Sequence, residues 1–243
     1  MRIDARYNGP ADSAHGGVAA GRFAEMVGTP LAASVRLVAP PPLDADLRTR
    51  PTDGGVEIVD RDDTAVALVR ELGEREIEPF PFVDADGLAA AAADWASRHD
   101  DMADPAYNTC FACGSTEARP DSLGLHAGRD PRSGYCAAPW VPEPTEPDGG
   151  VAPWMVWAAL DCPAISAAYR DLPPGIAALT GELAVRIERL PVAGEQHQIV
   201  ARWTGAERRR IWSEAALVDA AGHNLAFAWA TTVVIGPRDV QPA

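Results

Sequence analysis

The longest nearly unbroken apolar stretch of the chain is Asp148–Tyr169, DGGVAPWMVWAALDCPAISAAY. Trp154, Trp157, Leu160 and Ile165 recur at close to helical spacing, so the stretch predicts a helix of roughly five turns, buried almost all round. Pro153 falls near its first turn, where the missing N–H costs nothing. Asp161 is its one central carboxylate and requires a partner, a shifted pKa or a water-filled pocket. A shorter helix is expected after Asp12 and Ser13, possible caps, with Val18, Phe23, Met26 and Val27 on its apolar side and Gly28 as its stop.

Alternation predicts strands elsewhere: a short one in residues 2–8, then Leu31–Val38, Leu43–Thr49, Gly55–Val59 and Ala65–Val69. Pro40-Pro41-Pro42 marks an edge or bend, since a central strand cannot carry three prolines. Asp86–Arg98 is an alanine-rich helix with a narrow apolar face, read as a connector. Beyond a polar stretch at 99–109, LGLHAG and GYCAAPW are strand candidates. Past the long apolar helix come GELAVRIERL, QIVARW, IWSEAALV and NLAFAWATTVVI, the last two joined by a hairpin turn at Gly222. One face of this sheet should pack on the helix.

The chain repeats itself. His15-Gly16-Gly17-Val18 matches Asp148-Gly149-Gly150-Val151, and residues 33–50 match 182–202 with Val35-Arg36 on Val185-Arg186. The expected division is 1–103, an N-terminal unit with the connector helix, and 104–243.

Of the 243 residues, 47% are hydrophobic, enough for a packed core; the net charge of −14 argues against a nucleic-acid or membrane partner. No apolar run is long enough to cross a bilayer, the N-terminus lacks a signal-peptide pattern, and four cysteines do not make a disulfide framework. A cytoplasmic location is expected. Cys110-x-x-Cys113 is half of a zinc site, but Cys136 and Cys162 would complete it only by a coincidence of folding, because the spacing fits no standard zinc ribbon. The expectation is buried structural cysteines, no metal and no cofactor. Glu207–Arg210 reads as a solvated hairpin tip rather than a phosphate site, and the tryptophans as core or interface residues.

The repeat, the AHGG before the first helix, the NTCFACG…LGLH that opens the second half and the AALDCPAI of the long helix together resemble the double hotdog acyl-CoA thioesterases. The resemblance implies an α+β fold, two antiparallel sheets each wrapping a long central helix. It implies hydrolysis of an acyl-CoA thioester, with Asp161 activating water and Thr180 and Thr231 as its polar partners. His15, Gly16, Gly17, Gly149, Gly150, Trp154 and Trp157 would bind substrate, the helix-start amides polarising the carbonyl. A homodimer is expected. In those thioesterases an acid stands about nine residues after the His of His-Gly-Gly; here that position is Ala24, and Glu25 is expected to point elsewhere. The rival readings are a non-catalytic acyl-ligand binder and, ranked lower, an enoyl-CoA hydratase.

Overall fold

A computed structural model describes residues 1–101, 108–115, 117–169 and 177–235. The expected division at 103 and 104 lies outside the described residues. The helices are α1 (Gly16–Val27), α2 (Ala85–Asp101) and α3 (Pro153–Ala168). The strands are β1 (Ala32–Leu37), β2 (Arg48–Thr52), β3 (Gly55–Val59), β4 (Ala65–Arg70), β5 (Gly128–Arg129), β6 (Cys136–Trp140), β7 (Ala177–Ile187), β8 (His197–Glu207), β9 (Arg210–Asp219) and β10 (Asn224–Ile235). The expected strand in residues 2–8 is instead a 3-10 turn over Ala5–Tyr7, because the Asp4 side chain accepts from the Arg6 N–H and closes the backbone locally. No helix among the described residues is long and apolar enough to cross a membrane.

The two expected sheets are one. All ten strands join in the order β2-β3-β4-β1-β7-β10-β9-β8-β6-β5. The seam is the antiparallel pair β1–β7, where each half-sheet covers the open edge of the other. The repeat is written into this seam. Ser34 pairs with Ala184, Val35 with Leu183 and Ala33 with Val185. A two-fold axis through the Ser34–Ala184 pair therefore lays Val35-Arg36 on Val185-Arg186, the match read from sequence.

One face of the sheet carries α1 and α3, packed against each other and into a single core with Val35, Val69, Leu183, Val185, Ile199 and Leu217. α3 is buried on every side, as its composition requires. On the opposite face, Phe80 and Val83 pack on Ala137, Val200, Ala216 and Val218 and lead into α2, which lies on β5 and β6.

Candidate functional site

The site forms where the start of α1 meets the middle of α3. His15 is the N-cap of α1, its Nδ1 accepting from the Val18 N–H at 3.3 Å. With Nδ1 used as an acceptor, the neutral ring carries its proton on Nε2. Gly17 allows the two helices to touch: a Cβ there would stand 2.6 Å from the Trp157 carbonyl oxygen and 2.7 Å from the Asp161 Cβ. This approach brings the Asp161 carboxylate onto the first turn of α1. Oδ2 accepts from the Gly17 N–H at 2.7 Å and lies 3.5 Å from His15 Nε2, while Oδ1 accepts from the Thr180 hydroxyl at 2.7 Å. The positive end of α1 suits a carboxylate. Burial nevertheless dominates and pushes the Asp161 carboxyl above its ordinary value, with His15, Thr180 and the Gly17 amide pulling it back.

Asp161 itself is only 1% exposed. Its cover is thin on one side, because Gly16 and Thr180 above it are both half-exposed. A Cβ on Gly16 would lie 2.7 Å from Thr180 Oγ1 and 3.0 Å from Asp161 Oδ2, so Gly16 packs directly on both and has no room for a side chain.

Thr180 reaches Asp161 through a β-bulge. Along β7, Leu183, Val185 and Ile187 face the helices and Glu182 faces away; strict alternation would send Thr180 away as well. The register instead runs Thr231 opposite Glu182 and Thr232 opposite Thr180, leaving Gly181 as an extra residue that turns Thr180 back towards α3. The same register corrects the expectation for Thr231. It shares the face of Glu182 and Trp212, away from Asp161. The inward hydroxyl of β10 is that of Thr232, fully buried and without a hydrogen-bond partner, as is that of Ser213 on β9. Orphaned buried hydroxyls call for water or a ligand oxygen.

Gly149 and Gly150 do not repeat the role of Gly16 and Gly17. Gly149 adopts φ +87° in a surface turn closed by the Gly149 N–H to Glu146 and the Gly150 N–H to Asp148. α3 begins later, with Ala152 as N-cap and Pro153 as its first residue, so in space Ala152 stands where His15 stands in α1. Trp154 and Trp157 are core residues: Trp157 is fully buried, its indole donating to the Pro30 carbonyl at 2.9 Å, and Trp154 meets the Tyr7 ring edge-on under Arg22. Nor does Glu25 point away from everything. It is held by Arg22 at 2.9 Å on a half-exposed part of α1, and the backbone N–H of Trp154 faces its carboxylate. Burial and Glu146 raise the Glu25 carboxyl, while Arg22 and the Trp154 amide lower it; burial is the largest influence.

The third group is a nest of sulfur. Cys162, next to Asp161, lies 3.2 Å from His15 Nε2 and 3.8 Å from the Cys110 sulfur. Cys113 faces both thiols. Cys110 is held well below the usual thiol range, mainly by hydrogen bonds from Cys113 and Cys162, which are themselves raised. Of the cysteines suspected from spacing, Cys162 joins the CxxC pair; Cys136, on β6, is not in the group, and His15 is the member that spacing could not reveal. Glu207–Arg210 is the exposed turn between β8 and β9.

No family profile matches the chain, and no curated protein matches its sequence. Solved structures do match, over nearly the full length. The TesB protein of Mycobacterium avium subs. paratuberculosis superposes at a TM-score of 0.59 with 10% identity, covering 97% of this chain and 91% of that one. A hot dog fold protein of unknown function from Alicyclobacillus acidocaldarius gives 0.58 and 15%, with 97% and 92% covered. A candidate thioesterase from Novosphingobium aromaticivorans gives 0.58 and 16%, with 97% and 94% covered. The chain has the hot dog fold.

Proposed function

We propose that this chain is a thioesterase-like hydrolase of acyl-CoA esters, with Asp161 as the base. The observation that carries the reading is the single constellation of Asp161, the Gly17 amide and the Thr180 hydroxyl beneath a cover that lacks a side chain at Gly16. The thioester would reach Asp161 once Gly16 and Thr180, which pack against each other over the carboxylate, move apart. Water held by Asp161 and Thr180 would attack the carbonyl carbon, giving up a proton to the carboxylate. The developing oxyanion would take over the Gly17 N–H, and the carbon–sulfur bond would break with the proton passing to the departing thiolate. A carboxylate whose proton affinity is raised by burial is a better base than an exposed one. The unpaired hydroxyl of Thr232, opposite Thr180, offers a further contact to water or to a substrate oxygen. Full-length likeness to thioesterase structures agrees with this reaction class, although fold alone does not establish chemistry.

A second reading follows from exposure. Glu25 faces the first turn of α3 from a half-exposed position, much as Asp161 faces the first turn of α1 from a buried one. Thiol release from a panel of acyl-CoA esters separates the possibilities. Asp161→Asn should lower kcat by about 100-fold or more with folding intact, and Glu25→Gln should leave it within about threefold. The reverse result moves the reaction to the start of α3. No thiol release from any ester would leave the chain as a binder of acyl ligands.

A further inference from the structure

Two buried thiols and an imidazole meet in the core, from the cap of α1, the loop after residue 107 and the middle of α3, with the half-buried Cys113 beside them. Thiols are weak hydrogen-bonding groups and make a poor reason for keeping four such side chains together. We propose that His15, Cys110, Cys113 and Cys162 are the ligands of a closed, structural zinc site that ties the start of α1 to α3.

The spacing favours a metal. With Zn–S bonds of about 2.3 Å, a tetrahedral ion holds two sulfurs roughly 3.8 Å apart. The Cys110 and Cys162 sulfurs are 3.8 Å apart as they stand, far beyond a disulfide bond of about 2.05 Å. His15 Nε2, at 3.2 Å from Cys162, needs to move outward by only a few tenths of an ångström. The ligand atoms of His15, Cys110 and Cys162 lie within 4.8 Å of one another; the Cys113 sulfur, three residues after Cys110, stands outside that distance and would turn inward to complete the set.

The local backbone is folded around the Cys110 sulfur. The Cys113 N–H points at the Cys110 sulfur, and the Gly114 N–H donates to the Cys110 carbonyl at 2.8 Å, which folds the CxxCG segment into a tight turn around that sulfur. Backbone N–H groups aimed at a ligating sulfur orient it as second-layer partners do around a metal. Sulfur and one imidazole in four-coordinate array select zinc over harder cations. His15 (2% exposed), Cys110 (3%) and Cys162 (7%) leave little room for substrate at the ion, which marks the site as structural. Ligation through Nε2 moves the ring proton to Nδ1, so the long contact from Val18 is given up on binding.

The proposal does not depend on the thioesterase reading, because its test reads metal and not turnover. Full-length protein, purified under reducing conditions with any histidine tag removed, should carry about one zinc per chain by mass spectrometry of the metal. After unfolding with chelator and refolding with Co²⁺, thiolate-to-cobalt bands should appear in the near ultraviolet with tetrahedral bands in the visible. Cys162→Ser and Cys110→Ser should each lower zinc content at least tenfold, and Cys136→Ser should retain it. In the wild-type chain, nitrogen NMR should place the His15 ring proton on Nδ1 when zinc is bound and on Nε2 when it is absent. Zinc below one-tenth of an equivalent, both as purified and after reconstitution, overturns the proposal whatever the variants do. So does a Cys110–Cys162 disulfide in the freshly purified chain.

Discussion

The two central helices begin in different surroundings, although the sheet beneath them is nearly two-fold symmetric. At the start of α1, His15, Gly16 and Gly17 meet the buried carboxylate of Asp161. At the start of α3, Ala152, Pro153 and Trp154 meet the carboxylate of Glu25 close to solvent, with Arg22 and Glu146 beside it. In both places a carboxylate from one helix serves the free amides of the other. The exchange is common to both ends, but the surroundings differ: glycines, a histidine and thiols at one, a tryptophan and surface charges at the other. A buried carboxylate with fixed partners suits directed chemistry, whereas an exposed one can be tuned or lost at little cost.

The largest effect is expected from Gly17→Ala, which should destabilise the chain by about 3 kcal/mol in urea unfolding. The new methyl group would collide with the Trp157 carbonyl and the Asp161 Cβ, both fixed within α3. Gly149→Ala should cost about 1 kcal/mol, since that site has open space and a positive φ as its only constraint. Equal losses at the two glycines would erase the distinction between a close helix contact and a surface turn.

Next in size is Asp161→Ala, at about 2 kcal/mol, because the Gly17 N–H and the Thr180 hydroxyl are left facing a void. Asp161→Asn should cost roughly half of that, as the amide can still accept from Gly17 and donate to Thr180. If the alanine and asparagine variants unfold at the same urea concentration, the hydrogen bonds are not what holds the carboxylate in place.

Much of the fold was legible from residue pattern, and the reasons are local. Strict alternation in GELAVRIERL and the glycine at 222 define their strands and turn without help from distant contacts. Val35-Arg36 and Val185-Arg186 revealed a repeat that the seam between β1 and β7 then placed about an axis. Three features were harder to read, each set by tertiary contact. Whether two half-sheets stay apart or join depends on edge pairing, which alternation does not encode. The bulge at Gly181 turns Thr180 inward against strict alternation, with a lone glycine in an alternating strand as the available signal; on β10 the alternation of Ala226, Ala228 and Ala230 carries on to Thr232 and leaves Thr231 on the outer face. His15 meets Cys162 across 147 residues, a distance in sequence over which no ligand spacing rule operates. The second Gly-Gly misleads for the opposite reason: identical letters four residues too early lie in a turn, not at a helix start.

The smallest expected effect concerns Glu25, and its sign distinguishes the two carboxylates' surroundings from mere likeness. Burial raises its folded-state pKa above the ordinary 4.5, so the folded chain binds that proton more tightly than the unfolded one. The stabilisation is complete below the ordinary value and is lost as pH rises through the folded one. Relative to Glu25→Gln, the wild-type chain should therefore lose stability as pH rises through and above about 4.5, by a few tenths of a kcal/mol at most, because solvent screens this half-exposed group. Urea midpoints for both chains across that range measure it. A gain on raising pH would mean that Arg22 and the Trp154 amide outweigh burial, and that the start of α3 holds an anion as firmly as the start of α1.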